Sequence, residues 1–447
     1  MVGLDRLPAG PAAPPLVQTA RWLTRPIGLM ESCRRRFGDA FSLKFVGFGS
    51  PMVLLSDPEV IRELYSAKEH TLPPGRTVSL LPVMGASSLL LLEGAEHIER
   101  RRLLLPPFHG ERLRAYEGAI REIAEAEVAG WRVGEEFAIH EPMRAVTLEA
   151  ILRVVFGVTD EGRRAQLREL VPRLMAETSS VALSARVLAA QRLGRPNPLE
   201  GLATLHDGID RLLLAEIAER HRDGERAGDD VLSLLIAARF EDGSAMSDRE
   251  LRDHLVTLLL AGHETTATAL AWTFELLGRN PAVAARLRAE LAGEDDAYVR
   301  AVVAESLRLR PVVPIAGRRL GSDLVAGGLE LPAGTDVTPA IWLTHTRPDV
   351  YPEPYEFRPE RFLGGAPSPY AWIPFGGGVR RCLGAAFAEL ELRIVLATVL
   401  QRVELEAASR RPERIARRHL TLAPRHGTRV RVSGRTAPRR ASVAVGG

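Results

Sequence analysis

Phe375-Gly376-Gly377-Gly378-Val379-Arg380-Arg381-Cys382-Leu383-Gly384 is a glycine-rich turn that runs into an apolar, helix-forming segment, with a cysteine at the junction. Glycines adopt positive φ readily and let a flat group approach the backbone. Backbone N–H groups at a helix start favour a nearby anion, here a thiolate. Arg380 adds a positive charge two residues before the sulfur. The stretch therefore reads as a place that keeps a sulfur ionised. A phosphate-binding loop would end in G-K-[ST] or follow G-x-G-x-x-G; the last glycine of the second pattern falls on Arg381, so neither fits. A nucleophilic cysteine would want a histidine base in a matching context. A plain buried cysteine leaves three adjacent glycines unexplained.

The chemistry-bearing residues upstream fall on helical patterns. Glu305-Ser306-Leu307-Arg308 lies on a segment, 298–309, with helical periodicity, and a spacing of three puts both charges on one face. Most such pairs sit on the surface and contribute little. Ala261-Gly262-His263-Glu264-Thr265-Thr266 lies inside 251–277, the longest helical candidate, about 40 Å long if fully helical. A zinc-protease reading of His263-Glu264 needs a second histidine at Ala267 and fails. Glu264 and two threonines are costly in an apolar helix without partners, so this stretch points to a functional groove; His263 is open to a structural or a functional reading. His97 and Arg101 are four residues apart on a further helical segment beginning near Gly94. They share a face.

Bulk properties exclude several classes. The chain has 447 residues, 46% of them hydrophobic, so it can bury a large core. Aromatics are only 5%, which favours helices over a β-sandwich. A net charge of +3 is too small to imply nucleic acid. Lys44 and Lys68 are the only lysines. Arginine clusters occur at 34–36 and 100–102, and each reads first as a solvated helix face. Two distant cysteines, Cys33 and Cys382, cannot build a cysteine zinc site. No export signal and no membrane-length apolar run is present, so a soluble, cytoplasmic protein is expected. Residues 1–15 read as an extended lead-in, 41–56 as a β-hairpin, Asp57-Pro58 as a helix start. Short strands are expected within 312–340 and 418–432, irregular chain over 347–375, and a long helix over 383–401. No repeat or linker divides the chain. The expectation is a single domain over 1–434 and a disordered tail over 435–447.

The cysteine loop fits F-x-x-G-x-R-x-C-x-G at every fixed position and resembles the haem-binding loop of cytochromes P-450. The resemblance implies that Cys382 is the axial iron ligand, that Phe375 packs near it, that Arg380 pairs with a haem propionate and that Gly384 belongs to the same cofactor loop. Other segments agree, in the family's order. Ala261 to Thr266 resembles the oxygen-binding segment: Gly262 would leave space for dioxygen, and Glu264 and Thr265 match the acid–alcohol pair that relays protons. His97 and Arg101 resemble the propionate-binding pair. Arg318 follows a Pro-rich segment where the family often places another propionate arginine, with Arg319 as its rival. Pro359-Glu360-Arg361-Phe362 resembles the segment supplying a second arginine, so that Glu305, Arg308 and Arg361 would form a buried structural network.

The fold implied is mainly α with a small β region, with haem b between the 251–277 helix and the helix after Cys382. The function implied is a monooxygenase inserting one oxygen atom from dioxygen into an apolar small molecule, of lipid, terpenoid or steroid-like kind. Leu81, Met84, Leu90, Ala261, Val313 and Ile315 are the candidate substrate contacts. Electrons would come from a separate ferredoxin or flavodoxin with its reductase, docking on Arg380, Arg381 or the 100–102 cluster. A monomer is expected. Rival readings are a peroxide-using peroxygenase or haem-thiolate isomerase, against which the presence of both Glu264 and Thr265 argues, and a haem-based sensor.

Overall fold

Ser247 opens the longest helix, Asp248–Arg279, with a reciprocal cap: Glu250 N–H donates to the Ser247 hydroxyl at 3.3 Å, and Ser247 N–H donates to the Glu250 carboxylate at 2.9 Å. This S-x-x-E box carries the helix three residues earlier than the apolar pattern suggests. The helix holds 32 residues and is about 48 Å long. It is buried along most of its length, because the helices His140–Ala150, Ala297–Leu309 and Ala385–Arg402 pack around it. Its Leu251, Leu255, Leu259 and Leu270 join Ile120, Val302, Leu396 and Val399 in the main core. The computed structural model describes residues 7–67, 81–178, 190, 194, 203–223, 230–293, 295–365, 367–418 and 421–436, with the backbone alone for 81, 82, 178, 203 and 223.

The helix His140–Ala150 continues into a π-turn over Ile151–Val155, where Phe156 N–H reaches back five residues to Ile151 O at 3.0 Å. This wide turn brings Ile151 against the central helix at Gly262.

Ala40–Leu43 and Met52–Leu55 form the expected hairpin, with Ala40 opposite Leu55. Met52–Leu55 then pairs in parallel with Asp336–Pro339, which pairs antiparallel with Arg318–Arg319. This four-stranded sheet fixes where Arg318 stands. Asp57 caps the next helix, Pro58–Tyr65: its carboxylate accepts from Glu59 N–H at 2.9 Å and Val60 N–H at 3.2 Å. The cap aims Tyr65, at the far end of that helix, toward the cysteine loop.

Near the C-terminus Arg429–Arg435 lies between Glu136–Ala138 and Val403–Ala407. The strand Val403–Ala407 follows the cysteine helix directly and was not expected. Ile415–Arg418 pairs with Thr421–Pro424, which brings Arg418 to the central helix. Arg435 still lies in a strand, so the tail begins later than position 435; residues 437–447 lie outside the described residues. Among the described residues no helix is long and apolar enough to cross a membrane.

Candidate active site

The glycines of the cysteine loop answer to Tyr65. Gly378 sits at φ +64, and a Cβ there would stand 2.8 Å from Tyr65 O; a Cβ on Gly377 would stand 2.4 Å from the Tyr65 ring. The close approach expected of a flat ligand is made at Gly377 by the Tyr65 ring and at Gly378 by the Tyr65 backbone. Ile373 O accepts from Gly376 N–H at 3.0 Å, and Phe375 O accepts from Cys382 N–H at 2.9 Å, so the loop is tied at both ends. The Phe375 ring meets Trp372 edge-on at 6.2 Å. Gly384 caps the helix Ala385–Arg402, and its N–H points back to the Cys382 sulfur.

Cys382 has accessible surface, yet burial pushes its thiol up. The residue keeps exposed atoms while its sulfur is set among protein atoms. The Gly384 N–H, Arg101 and Arg381 act the other way and favour the thiolate. The Arg380 guanidinium donates to Leu92 O at 2.8 Å. Of the groups expected to favour a thiolate, the helix-start N–H of Gly384 does so, with Arg101 and Arg381 as the nearby charges. Desolvation outweighs the nearby donors, and a bound metal cation would supply the balance.

Arg380 turns toward His97. Burial pulls His97 down to about 4, and Arg380, Arg101 and Arg318 all push it further the same way. Four basic side chains from three separated segments thus face one place, and Arg101 acts on both His97 and Cys382. Arg318, not Arg319, faces this cluster; Arg319 is exposed. The neighbours of Arg101 do something else. Arg100 pairs with Glu250 at 2.8 Å, and Arg102 pairs with Glu241. The 100–102 cluster is therefore not a free docking patch.

The central helix opens one face in mid-length. Ala261 is exposed and Leu258, Gly262 and Thr265 are partly so, at spacings of three and four. Thr265 donates to Ala261 O at 2.7 Å, which leaves its oxygen as an acceptor. Glu264 points elsewhere: its carboxylate lies 2.8 Å from Arg144, 3.7 Å from His140 and 4.0 Å from Arg418. Burial pushes Glu264 up, against the pull of Arg144 and Arg418. His140 is buried, hydrogen-bonds with Thr268 at 3.1 Å, and is pulled down to about 3 by burial and by Arg418 and Arg144. His263 is buried, bonds back to Leu259 O at 2.8 Å and is pulled down to about 4, chiefly by burial. The space beside Gly262 belongs to Ile151, whose Cδ1 would stand 2.6 Å from a Cβ there. Its missing side chain serves helix packing, which corrects the assignment of that space to dioxygen.

Beneath the loop Glu305 and Arg308 are both fully buried and pair at 2.6 Å. Arg308 also donates to the carbonyls of His345, Pro354 and Glu356, at 2.8, 2.7 and 3.1 Å. Glu305 accepts from Arg358 N–H at 2.9 Å, and Arg361 lies 3.4 Å from it.

The candidate substrate contacts scatter. Ala261 and Leu90 are exposed and Met84 is buried. Val313 is partly buried, and Ile315 packs against the small core around Phe41 and Trp342. The Leu81 side chain lies outside the described residues. Residues without a motif to mark them in the sequence include Tyr65, Arg144, His140, Arg418 and Glu391. The pair His140 and Arg144 has the same spacing of four as His97 and Arg101, and that is a usable signal. Glu391, on the cysteine helix, is wholly buried beside Thr266, and burial pushes it well above the usual carboxylate range.

The family profile described as cytochrome P450 matches residues 8–430. The provisionally named cytochrome P450 135B1 of Mycobacterium tuberculosis is 42% identical over 436 residues, covering 95% of this chain and 91% of the relative. Cytochrome P450 137 of the same species, also provisionally named, is 41% identical over 401 residues, covering 89% and 83%. Among solved structures, retinoic acid-bound cyanobacterial CYP120A1 superposes with a TM-score of 0.80 at 25% identity, over 96% of this chain and 99% of that one. The haem domain of cytochrome P450DA gives 0.80 and 25%, over 97% and 100%.

The chain belongs to the cytochrome P450 family, haem-thiolate monooxygenases that use haem b. Its residues fit that group. A cysteine that keeps accessible surface suits an iron ligand, four converging basic side chains suit two propionates, and the open face of the central helix suits a flat macrocycle.

Proposed function

We propose that this P450 inserts one atom of dioxygen into an apolar small molecule of lipid, terpenoid or steroid-like kind, with electrons from a separate ferredoxin or flavodoxin and its reductase. The observation that carries the reading is the gathering of His97, Arg101, Arg318 and Arg380, with Arg101 acting on Cys382 as well; the central helix separately opens a face that presents Thr265. Haem b, when bound, supplies dioxygen binding and activation. Cys382 would hold its iron as thiolate, and the basic cluster would hold its propionates.

The remaining work belongs to side chains of the central helix. The Thr265 oxygen is free to accept because its proton is given to Ala261 O. It can take a hydrogen bond from water on the open face and pass a proton on by turning its own O–H. Glu264 has its carboxyl raised toward the working range of an acid–base catalyst. Arg144 and Arg418, both partly accessible, stand between it and solvent. Glu264 would gather protons at that edge, and Thr265 would deliver them to the face where oxygen reacts.

The apolar substrate class is favoured by Leu258 and Ala261 on the open face. CYP120A1, a solved structure of similar fold, has retinoic acid bound. With Arg100 and Arg102 internally paired, exposed Arg381 beside the cysteine loop is the basic residue left for an acidic redox partner.

A ligand screen by difference spectroscopy tests the substrate class. Apolar candidates should shift the Soret band, and charged ones should not. NADPH consumption with surrogate redox proteins then tests the reaction. Turnover with peroxide alone, and none with NADPH, would point to a peroxygenase. No turnover with any donor would point to a sensor.

A further inference from the structure

His345 ends the short helix Ile341–His345 and is fully buried. Its ring joins two backbone segments far apart in sequence. Nδ1 lies 3.2 Å from Arg308 O, and Nε2 lies 2.9 Å from Ile373 N. A carbonyl can only accept and an amide N–H can only donate, so the proton sits on Nδ1 and Nε2 accepts. The ring stays neutral: burial and the Arg308 guanidinium pull it down to about 3.

Each side of this bridge leads to the site. Arg308 donates back to His345 O at 2.8 Å, so the two residues exchange hydrogen bonds, and Arg308 is paired with Glu305 in the buried network. On the other side Ile373 starts the cysteine loop. Ile373 O accepts from Gly376 N–H, and Phe375 O accepts from Cys382 N–H. The imidazole thus ties the anchored helix to the first residue of the loop through a single buried bond.

We propose that His345 is a positioning residue for Cys382, setting through the Ile373 amide where the cysteine loop stands and hence the geometry of the sulfur–iron bond. The inference rests on Cys382 being the ligand. A histidine that merely fills space would be replaced by another ring without spectral consequence.

The test uses the holoenzyme with His345→Phe and His345→Gln. Two signals are read: hydrogen exchange at the Ile373 amide and the Soret band of the ferrous carbon monoxide complex. In His345→Phe the Ile373 N–H loses its acceptor. Its exchange should rise by roughly tenfold, the loss of one buried hydrogen bond, and part of the Soret band should move from the red-shifted thiolate position to the blue. In His345→Gln the side-chain carbonyl can stand where Nε2 stands, and both signals should stay near wild type. A Phe variant with wild-type exchange and band overturns the proposal. So does a Gln variant that loses the thiolate band, which keeps the test decisive if the Phe variant does not fold. Absence of the red-shifted band in the wild type would instead sink the ligand assignment of Cys382, and the exchange measurement would still judge the tie between His345 and the loop.

Discussion

Glu264 and Arg144 meet at 2.8 Å between carboxylate and guanidinium, across the contact of the central helix with His140–Ala150. The pair stands near the protein's edge, with 12% of the Glu264 side chain and 19% of the Arg144 side chain accessible. Thr265, the next residue, faces the open side of the same helix. Two adjacent positions on a helix point about 100° apart, so one can face solvent-side cations while the other faces the open side.

This arrangement separates the effects of two substitutions. Thr265→Ala should leave haem content and the carbon monoxide spectrum unchanged, while product per NADPH falls and hydrogen peroxide rises. Glu264→Ala should slow the whole cycle, by on the order of 100-fold if it acts as the acid–base group. Product, peroxide and NADPH measured together decide the matter. Unchanged coupling in Thr265→Ala would make that threonine structural.

The two cysteines give a direct control. Cys33 is buried in the small core with Leu29 and Phe41, and Cys382 keeps accessible surface. Cys382→Ser should abolish the red-shifted Soret band of the ferrous carbon monoxide complex, and Cys33→Ser should keep it. The reverse result would move the ligand.

Glu305 and Arg308 are fully buried partners, so removing one charge strands the other in low dielectric. Glu305→Ala should cost about 3–5 kcal/mol and prevent stable haem loading. Urea unfolding and the haem-to-protein absorbance ratio read both effects. A soluble, fully loaded variant of normal stability would rule the network out.

Glu391 predicts a pH dependence whose sign can be worked out. Its carboxyl is raised in the folded chain above the ordinary 4.5, because burial penalises the charged form. The folded state therefore binds more protons than the unfolded state above that pH. Stability from this group is fully present below about 4.5 and declines as pH rises toward the folded value. Glu391→Gln should remove that decline, so the variant's advantage in melting temperature over wild type should grow with pH. Parallel melting curves across the pH range would reveal the alternative, a gap between variant and wild type that does not change.

The packing of Gly262 on Ile151 makes a paired prediction. Gly262→Ala drives a methyl to within 2.6 Å of Ile151 Cδ1 and should cost about 1–3 kcal/mol. Ile151→Val removes that atom and should restore part of the loss in the double variant. Additive losses, seen by thermal unfolding, would mean that the two residues do not crowd each other.

Much of the fold is legible in the sequence because its signals are local. The hairpin at 41–56, the Asp57 cap and the central helix are each written in a few consecutive residues whose φ preferences and apolar spacing act alone. The strand Val403–Ala407 is not legible in this way because its partner Arg429–Arg435 lies well downstream, and pairing, not propensity, makes it a strand.

By itself the sequence determined the family, the identity of the candidate ligand and the E-x-x-R pair, since each is a contiguous motif whose chemistry follows from residue type and spacing. Only the tertiary structure decided what surrounds those residues. It turned Arg380 to Leu92 and toward His97, chose Arg318 over Arg319, set Tyr65 against Gly377 and Gly378, and surrounded Glu264 with Arg144, His140 and Arg418. The reason is physical. Electrostatic and packing energies depend on separations of a few ångströms in space, and residues more than a hundred positions apart acquire such separations only when helices and sheets have packed.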